Sequence, residues 1–278
     1  MDWKRKFRQG WALAFALFAF SGWPAMAEEV VRVAGTGASL GLLRILGEEF
    51  SRQRPDVRIS AVANLGSSGA IAAVAENAID LGVSSRPLQG GELRRDLRVM
   101  EFAITPFVIG VNQEVKVPGV SLAQLAVIYS GENARWPDGT PVRVILRPER
   151  DFDTAALRAL SPEMDRAVSA AQSRHGLIVA ATDQDSADAL EKIPGSLGTS
   201  SLALITTERR KIRPLAINGV APSVEGLRTG AYPHVKRLTL VARPSPSPAT
   251  QAFIAYLRSP EVARMLPRYG ALAAPQVP

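Results

Sequence analysis

The chain of 278 residues contains no cysteine and only two histidines. Without cysteine there can be no disulfide bond, thiol nucleophile or cysteine-ligated metal. His175 and His234 lie outside any H-E-x-x-H pattern, so a zinc hydrolase is not supported. The sequence therefore indicates neither a metal nor a cofactor.

Long apolar runs are also missing after residue 27, since none approaches the ~18 residues of a membrane-spanning helix. Residues 1–27 combine a basic start, the short apolar stretch "WALAFALFAF" and an A-x-A site ending at Ala27. This is the layout of a secretory signal peptide, and an uncleaved anchor is the alternative. We expect cleavage after Ala27 and a periplasmic protein that is not a lipoprotein, because there is no cysteine to acylate.

Strongly basic blocks are absent as well. The formal charge is +7, but residues 1–27 contribute +3, which leaves +4 on the rest. These charges are scattered and not interleaved with aromatic residues, so we expect no nucleic-acid partner.

Short apolar strands alternate with helices along the remaining ~250 residues, which is typical of an α/β fold with a largely parallel sheet. Strands are predicted at 30–35, 57–63, 79–85 and 102–112. Glycine-serine turns lie at the carboxyl ends of strands in this series. In such sheets ligands bind beyond the carboxyl ends of the strands, near helix N-termini.

Seven segments carry a family resemblance, in order along the chain: "GTGASL", "NLGSSGAI", "AIDLGVSSRPL", "LAVIYSGENARWPDGTPVRVILRPE", "PGSLG", "INGVAPSVEGLRTGAYP" and "YLRSPEVARMLPRYG". Together they resemble the phosphate-binding proteins of ABC-type transporters, in the type-2 periplasmic solute-binding superfamily. The resemblance implies two α/β lobes, each a mixed, mostly parallel sheet flanked by helices, with a hinge between them. It also implies a binding protein that is not an enzyme and that delivers its solute to an inner-membrane permease.

The predicted lobes are residues 28–111 with 238–278, and residues 112–237. Two strands, near 107–112 and 238–243, are expected to join them. We expect a monomer.

The first two glycine-rich turns offer hydroxyl and amide donors for an anion. Ser39 and the amide of Leu40 are expected at a helix start, where the helix dipole favours an anion. Ser67, Ser68 and Gly69 form the second turn, where glycine lets the backbone approach an oxyanion closely. Ordinary helix capping is the alternative at both turns, with Ser39 as the N-cap.

The third turn departs from the family pattern. Ser85, followed by Arg86, stands where the resembled family has an aspartate that accepts a proton from protonated phosphate. A serine can donate or accept, so it discriminates poorly. Arg86 either reaches into the cleft or faces solvent.

Arg147 resembles the family's anion-binding arginine, but the loop "RPERDFDT" that it opens is unusually acidic. Thr154 is retained, while Asp151 and Asp153 stand where donors are expected. Three alternatives follow. In the first, an aspartate of the loop takes over the proton-accepting role that is lost at Ser85. In the second, the carboxylates neutralise Arg147 and Arg150, so the ligand is polar but weakly anionic. In the third, the acidic residues form a solvated surface.

A further strand-to-helix turn contains Thr182, Asp183 and Gln184, which either line the cleft or cap a helix through Asp183 or Asp185. Asp153 or Thr154 is expected to cap the helix after Arg147.

The sequence as a whole predicts a periplasmic binding protein for phosphate or a related oxyanion. The alternative is a sensory or accessory module of the same fold that binds another solute or none and contacts a membrane partner. A hydrolase is a remoter possibility, which loss of phosphate-ester turnover in Ser67→Ala would support.

Overall fold

The computed structural model describes residues 28–61 and 65–275. The predicted signal peptide, residues 62–64 and the last three residues lie outside this range, and residues 62–64 include the end of the predicted strand 57–63 and the start of the second turn. No helix in the described ranges is long and apolar enough to cross a membrane.

Twelve strands and ten α-helices are described in these two ranges. The strands are β1 (Glu29–Gly35), β2 (Val57–Ala61), β3 (Leu81–Ser84), β4 (Arg98–Asn112), β5 (Gly119–Val120), β6 (Arg143–Leu146), β7 (Ile178–Val179), β8 (Ser196–Ser201), β9 (Ile212–Pro214), β10 (Ala216–Ile217), β11 (Val235–Ala242) and β12 (Leu272–Ala273). The helices are α1 (Gly37–Gln53), α2 (Gly66–Ala75), α3 (Leu122–Ser130), α4 (Phe152–Arg158), α5 (Pro162–Ser173), α6 (Asp183–Lys192), α7 (Leu202–Thr207), α8 (Val224–Thr229), α9 (Pro248–Leu257) and α10 (Pro260–Met265).

The main sheet has the strand order β2-β1-β3-β11-β4-β8-β6-β7. Its outer strands pair in parallel on both sides, β1 with β2 and β3, and β6 with β7 and β8. The central strands β4 and β11 pair antiparallel. The predicted α/β class with a mixed sheet flanked by helices is confirmed.

Strand β4 links two halves of this sheet. Up to Pro106 it pairs with β11, and from Phe107 onward it pairs with β8. Proline has no backbone N–H, so it is tolerated where a strand changes partner. One apolar core contains Ala103 and a second contains Phe107, so the fold has two lobes, each with a core of its own.

The helix starts at the cleft differ from two predictions. Thr36, not Ser39, is the N-cap of α1, because the helix already begins at Gly37. Asp151, not Asp153 or Thr154, caps α4, and its Oδ1 accepts from the Asp153 N–H at 2.8 Å. The short carboxylate of Asp151 reaches the free amide two residues on, as N-cap residues commonly do.

Candidate functional site

The carboxyl ends of β1, β3 and β6 and the starts of α2, α4 and α6 enclose a cleft of about 210 Å³. This is the edge of the sheet at which ligands bind in open α/β folds. The cleft is lined by Thr36, Leu65, Gly66, Ser67, Ser68, Ser85, Arg86, Arg147, Arg150, Asp151, Phe152, Asp153, Ala181, Thr182, Asp183 and Lys236.

The fold brings together seven of the eleven residues predicted for the site. The predicted residues that line the cleft are Ser67, Ser68, Ser85, Arg86, Arg147, Asp151 and Asp153. The predicted residues outside its lining are Ser39, Leu40, Gly69 and Thr154.

Two of the hydroxyls outside the lining donate hydrogen bonds to backbone carbonyls. Ser39 is fully buried in the first turn of α1 and donates to the Thr36 carbonyl at 2.9 Å. Thr154 is buried and its Oγ1 donates to the carbonyls of Arg147 and Pro148, at 3.2 and 2.9 Å. Thr154 therefore shapes the loop that carries Arg147.

Residues 37–41, Gly-Ala-Ser-Leu-Gly, have the G-x-S-x-G spacing of a hydrolase nucleophile turn, between a strand and a helix. That turn exposes the serine hydroxyl, whereas the Ser39 hydroxyl is buried and hydrogen-bonded to the Thr36 carbonyl. Neither His175 nor His234 lines the cleft. The spacing therefore does not correspond to a nucleophile here.

The serine-rich side of the cleft is held together by hydrogen bonds between its turns. The Ser67 hydroxyl accepts from the Ser85 N–H at 2.9 Å, and Ser68 accepts from Arg86 Nη2 at 2.7 Å. Arg86 also makes a two-point contact with Glu92, at 2.8 and 2.7 Å, and this contact lowers the pKa of Glu92. Arg86 thus faces the cleft with its charge largely balanced.

Arg147 is the buried cation at the end of β6, with 4% of its surface exposed. Its Nη1 donates to the Ala180 carbonyl at 2.8 Å and its Nη2 to Asp151 Oδ2 at 2.9 Å. Burial opposes its charge, but Asp183 and Asp151 outweigh burial and raise the pKa of Arg147. Its orientation is therefore set before any ligand arrives.

Lys236, at the start of β11, is the site residue that sequence reasoning missed. Its ammonium lies 2.5 Å from Asp153 Oδ1 and 3.0 Å from Asp183 Oδ1, and its side chain is 1% exposed. Asp183 in turn accepts from the Thr36 hydroxyl at 3.1 Å. A chain of contacts thus runs from α1 across the cleft to α6, β11 and α4.

Asp153 and Asp183, the two aspartates that contact Lys236, have pKa values shifted in opposite directions. Burial raises the pKa of Asp153, and neighbouring Asp183 adds to the effect, while Lys236 only partly opposes it. For Asp183, burial is outweighed by Lys236 and Arg147, which lower its pKa. The pKa of Lys236 is raised, because the two carboxylates outweigh its burial. Asp183 therefore stays ionised, and Asp153 is the carboxyl that takes up a proton more readily.

A sequence signal for Lys236 does exist. Lys236 shares the buried face of β11 with Leu238 and Leu240, because residues two apart in a strand point to the same side. A lysine in phase with two leucines needs an anionic partner. The sequence does not reveal that Asp153 and Asp183 supply it. For Asp183 the sequence leaves two alternatives, lining the cleft or capping α6. The structure shows that Thr182 and Asp185 form the capping box of α6 while Asp183 lines the cleft.

Besides Asp153 Oδ1, which lies 2.5 Å from the Lys236 ammonium, three buried polar atoms of the cleft lining lack a hydrogen-bond partner among the described residues: Ser85 Oγ, Arg147 Nε and Asp153 Oδ2. Arg147 Nε is a donor, Asp153 Oδ2 an acceptor when ionised, and Ser85 Oγ either. Buried polar groups are normally paired, so this set indicates a ligand that both accepts and donates hydrogen bonds.

A family model described as the PBP superfamily domain matches residues 24–261. The chain belongs to the PBP superfamily. Among its PBP relatives, the phosphate-binding protein PstS of Bacillus subtilis is 23% identical over 245 residues, which cover 84% of this chain and 77% of that protein. Phosphate-binding protein PstS 2 of Streptococcus pneumoniae is 34% identical over 107 residues, covering only 37% of this chain and 35% of the relative.

Solved structures show the same PBP architecture. A putative phosphate ABC transporter substrate-binding protein from Clostridium perfringens, with bound phosphate, has a TM-score of 0.75 at 18% identity, covering 88% of this chain and 100% of that one. An ABC-type phosphate transport receptor from Vibrio cholerae has a TM-score of 0.63, also at 18% identity, with coverage of 88% and 100%. The predicted membership of the periplasmic-binding-protein superfamily is therefore confirmed, and the nature of the ligand depends on the residues of the cleft.

Proposed function

We propose that this chain is a periplasmic solute-binding protein that takes phosphate or a related oxyanion for an ABC-type importer. The observation that carries the proposal is Arg147 Nε, a buried guanidinium donor that lines the cleft with no partner among the described residues. Charge-assisted hydrogen bonds from arginine to an oxyanion are strong and directional.

The neighbouring groups support an oxyanion. Ser67 and Ser68 lie in the first turn of α2 and line the same cleft as Arg147. Ser85 Oγ is buried without a hydrogen-bond partner among the described residues. Hydroxyls and first-turn amides of a helix are suited to anion oxygens.

Asp153 supports phosphate over a fully ionised anion. Its Oδ2 is buried without a hydrogen-bond partner in the described ranges, so it can accept from the P–O–H group of phosphate, which sulfate lacks. This is the first of the three alternatives for the acidic loop. The solvated-surface alternative does not hold for Asp153, which is 1% exposed. The pairing of Asp151 with Arg147 supports only part of the neutralising alternative, because Arg147 Nε stays without a hydrogen-bond partner among the described residues.

The membrane partner, the oligomeric state, the export and the lobe bounds are part of the same proposal. The names of the relatives support an ABC permease as the membrane partner, and we propose a monomer without a nucleic-acid partner, exported with cleavage after Ala27. We also propose that the chain is not an enzyme, a reading that the burial of Ser39 supports. The lobe bounds, 28–111 with 238–278 and 112–237, stay a prediction, and the change of partner along β4 supports two lobes that close on the solute.

Calorimetric titration of the mature protein, stripped of ligand by partial unfolding, tests the proposal. Phosphate, sulfate and arsenate are titrated at pH 6 and pH 8. We expect micromolar or tighter phosphate binding in the native protein and at least a hundredfold loss in Arg147→Ala. Arg147→Lys is expected to lose much of the affinity too, because an ammonium cannot reproduce the fixed fork of donors.

Arg143→Ala is the matched control. Arg143 begins the same strand, is exposed, and donates to the Pro194 carbonyl. It should bind phosphate like the native protein. Absence of heat with all three anions, in a sample that circular dichroism shows to be folded, would overturn the proposal.

One observation favours a second candidate function. Lys236 is already neutralised by Asp153 and Asp183, so much of the cleft's charge is satisfied without a ligand. A sensory or accessory module that binds another solute, or none, and contacts a membrane partner fits this arrangement. In-cell cross-linking from the cleft rim, at Arg150, distinguishes the two: a transporter permease supports the first function, and a sensor protein the second.

A further inference from the structure

The cleft that contains Arg147 is larger than a phosphate ion. Its volume is about 210 Å³. A water molecule occupies roughly 30 Å³ in the liquid, so a cleft of this volume has room for about seven waters. The four oxygens of phosphate share one phosphorus and take up at most about four of these positions. The space that remains is enough for a small organic part attached to the phosphate group.

The lining of the cleft also changes character from floor to rim. The floor is polar and buried, and contains Ser85, Arg147 and Asp153. The rim carries apolar side chains, namely Leu65, which is 41% exposed, and the partly buried ring of Phe152. A tetrahedral oxyanion is polar on every side and gains nothing from apolar neighbours. A lining of two kinds instead fits a ligand with one anionic end and one carbon-containing end.

Arg150 is a further cation of this lining, and it differs from the others. Arg147, Arg86 and Lys236 each pair with a carboxylate of the chain. Arg150 is exposed and forms no ion pair with any residue in the ranges 28–61 and 65–275. A guanidinium can bind a carboxylate through two parallel hydrogen bonds. Arg150 is therefore suited to a second anionic group, at the carbon-containing end of the ligand.

We propose that the cleft binds a small phosphate monoester whose organic part ends in a carboxylate. The phosphate group pairs with Arg147 Nε and Ser85 Oγ, and its P–O–H group donates to Asp153 Oδ2; these three atoms lack a hydrogen-bond partner among the described residues. The organic part lies along Leu65, and its carboxylate binds Arg150. The inference rests on the proposed function and names the substrate class of the same site.

Contact between rim side chains when the lobes close is the competing explanation for an apolar rim. Leu65 directly precedes α2 and Phe152 begins α4, so the two side chains belong to different elements around the cleft. That explanation predicts no preference for an ester over inorganic phosphate. A comparison of ligands with and without an organic part therefore separates the two.

Calorimetric titration at pH 6 with inorganic phosphate, glycerol 3-phosphate and 3-phosphoglycerate tests the inference. This pH is near the second pKa of a phosphate monoester, so the protonated form is present. The two esters are nearly equal in size and differ by a hydroxymethyl group against a carboxylate. Native protein should bind 3-phosphoglycerate at least tenfold more tightly than inorganic phosphate, with glycerol 3-phosphate between them.

Two variants separate the contacts to the organic part. Arg150→Gln should bring the affinity for 3-phosphoglycerate to within about twofold of that for glycerol 3-phosphate, because the charged fork is lost. Leu65→Ala should lower the ratio of ester affinity to phosphate affinity at least threefold, because apolar contact area is lost. Arg166→Gln is the matched control, since Arg166 is exposed on α5, pairs with Glu163 and does not line the cleft. It should bind all three ligands like native protein.

Circular dichroism first establishes that each protein is folded, and each outcome then decides one claim. Inorganic phosphate bound as tightly as both esters, or more tightly, overturns the inference and leaves the proposed function standing. An equal or stronger preference for glycerol 3-phosphate, or a preference for 3-phosphoglycerate that persists in Arg150→Gln, overturns the carboxylate contact. Ester binding without phosphate binding supports the inference and overturns inorganic phosphate as the solute. Absence of heat with all three ligands overturns both proposals.

Discussion

The substitution Lys236→Met tests the buried contact chain most directly. The methionine side chain resembles the lysine stem in length, so it removes the ammonium with little change in shape. What remains are two carboxylates, Asp153 and Asp183, whose side chains are 1% and 7% exposed. Their compensating cation is gone, although Arg147 stays nearby.

The magnitude follows from the burial of all three groups. Breaking a buried ion pair by removing one partner costs roughly 3–5 kcal/mol, because an uncompensated charge stays in a poorly solvated place. For a protein of this size that corresponds to a fall in Tm of roughly 6–20 °C, at about 2–4 °C per kcal/mol. Exposed pairs are worth only ~0.2–1 kcal/mol.

Urea unfolding followed by circular dichroism measures the free energy of unfolding at pH 7. Lys192→Met is the matched control, because Lys192 contacts Asp188 at 2.7 Å but is 72% exposed. The free energy of unfolding of Lys192→Met should be lower than that of native protein by less than about 1 kcal/mol. The double variant Lys236→Met/Asp183→Asn should recover part of the loss, with a coupling of roughly 0.5–3 kcal/mol.

The pH dependence gives a second check with a definite sign. Without Lys236, the pKa of Asp153 and Asp183 in the folded state lies above the unfolded value of about 3.9. The folded variant then binds more protons than its unfolded chain, so its deficit against native protein should narrow as the pH falls from 7 towards 5. A deficit below about 1 kcal/mol at pH 7, or one that does not narrow, would refute the buried ion cluster.

Two further predictions concern the fold away from the cleft lining. Gly195→Ala should lower the free energy of unfolding in urea by more than ~2 kcal/mol, because Gly195 has φ +73° and a Cβ there would lie 2.2 Å from the Pro141 carbonyl oxygen. Gly139→Ala is the control, since Gly139 has φ +85° with open space around it and should lose only the free energy of backbone strain. Equal losses in the two variants would contradict the close contact at Gly195. Tyr232→Phe should lower stability by roughly 1–3 kcal/mol, since the buried hydroxyl donates to the Phe107 carbonyl at 2.7 Å, and a loss below ~0.5 kcal/mol would argue against that bond.

Local pattern was sufficient for much of the fold. Short apolar strands alternating with helices indicate an α/β architecture, because each element must bury one face against a sheet. The turn at Ser67 and Ser68 and the arginine ending β6 follow from the same local order, and the structure places all three at the cleft. Strand ends and helix starts meet at one edge of such a sheet, so their position is readable from order alone.

The exact first residues of the helices were harder to predict from the sequence. Ser39 was expected at the start of α1, yet the helix begins at Gly37 and the hydroxyl turns inward to the Thr36 carbonyl. Glycine, threonine and serine stand together there, and each is compatible with a helix start. Backbone packing, not residue type, decides among them.

The sequence by itself determined the class of fold, the family and the place of the cleft, because these depend on periodicity and on the order of turns. Only the tertiary structure decided the charge within the cleft. Lys236 meets Asp183 from 53 residues away, and Thr36 meets the same carboxylate from 147 residues away. Such contacts depend on how β11, α6 and α1 converge in space, and no local pattern records that convergence.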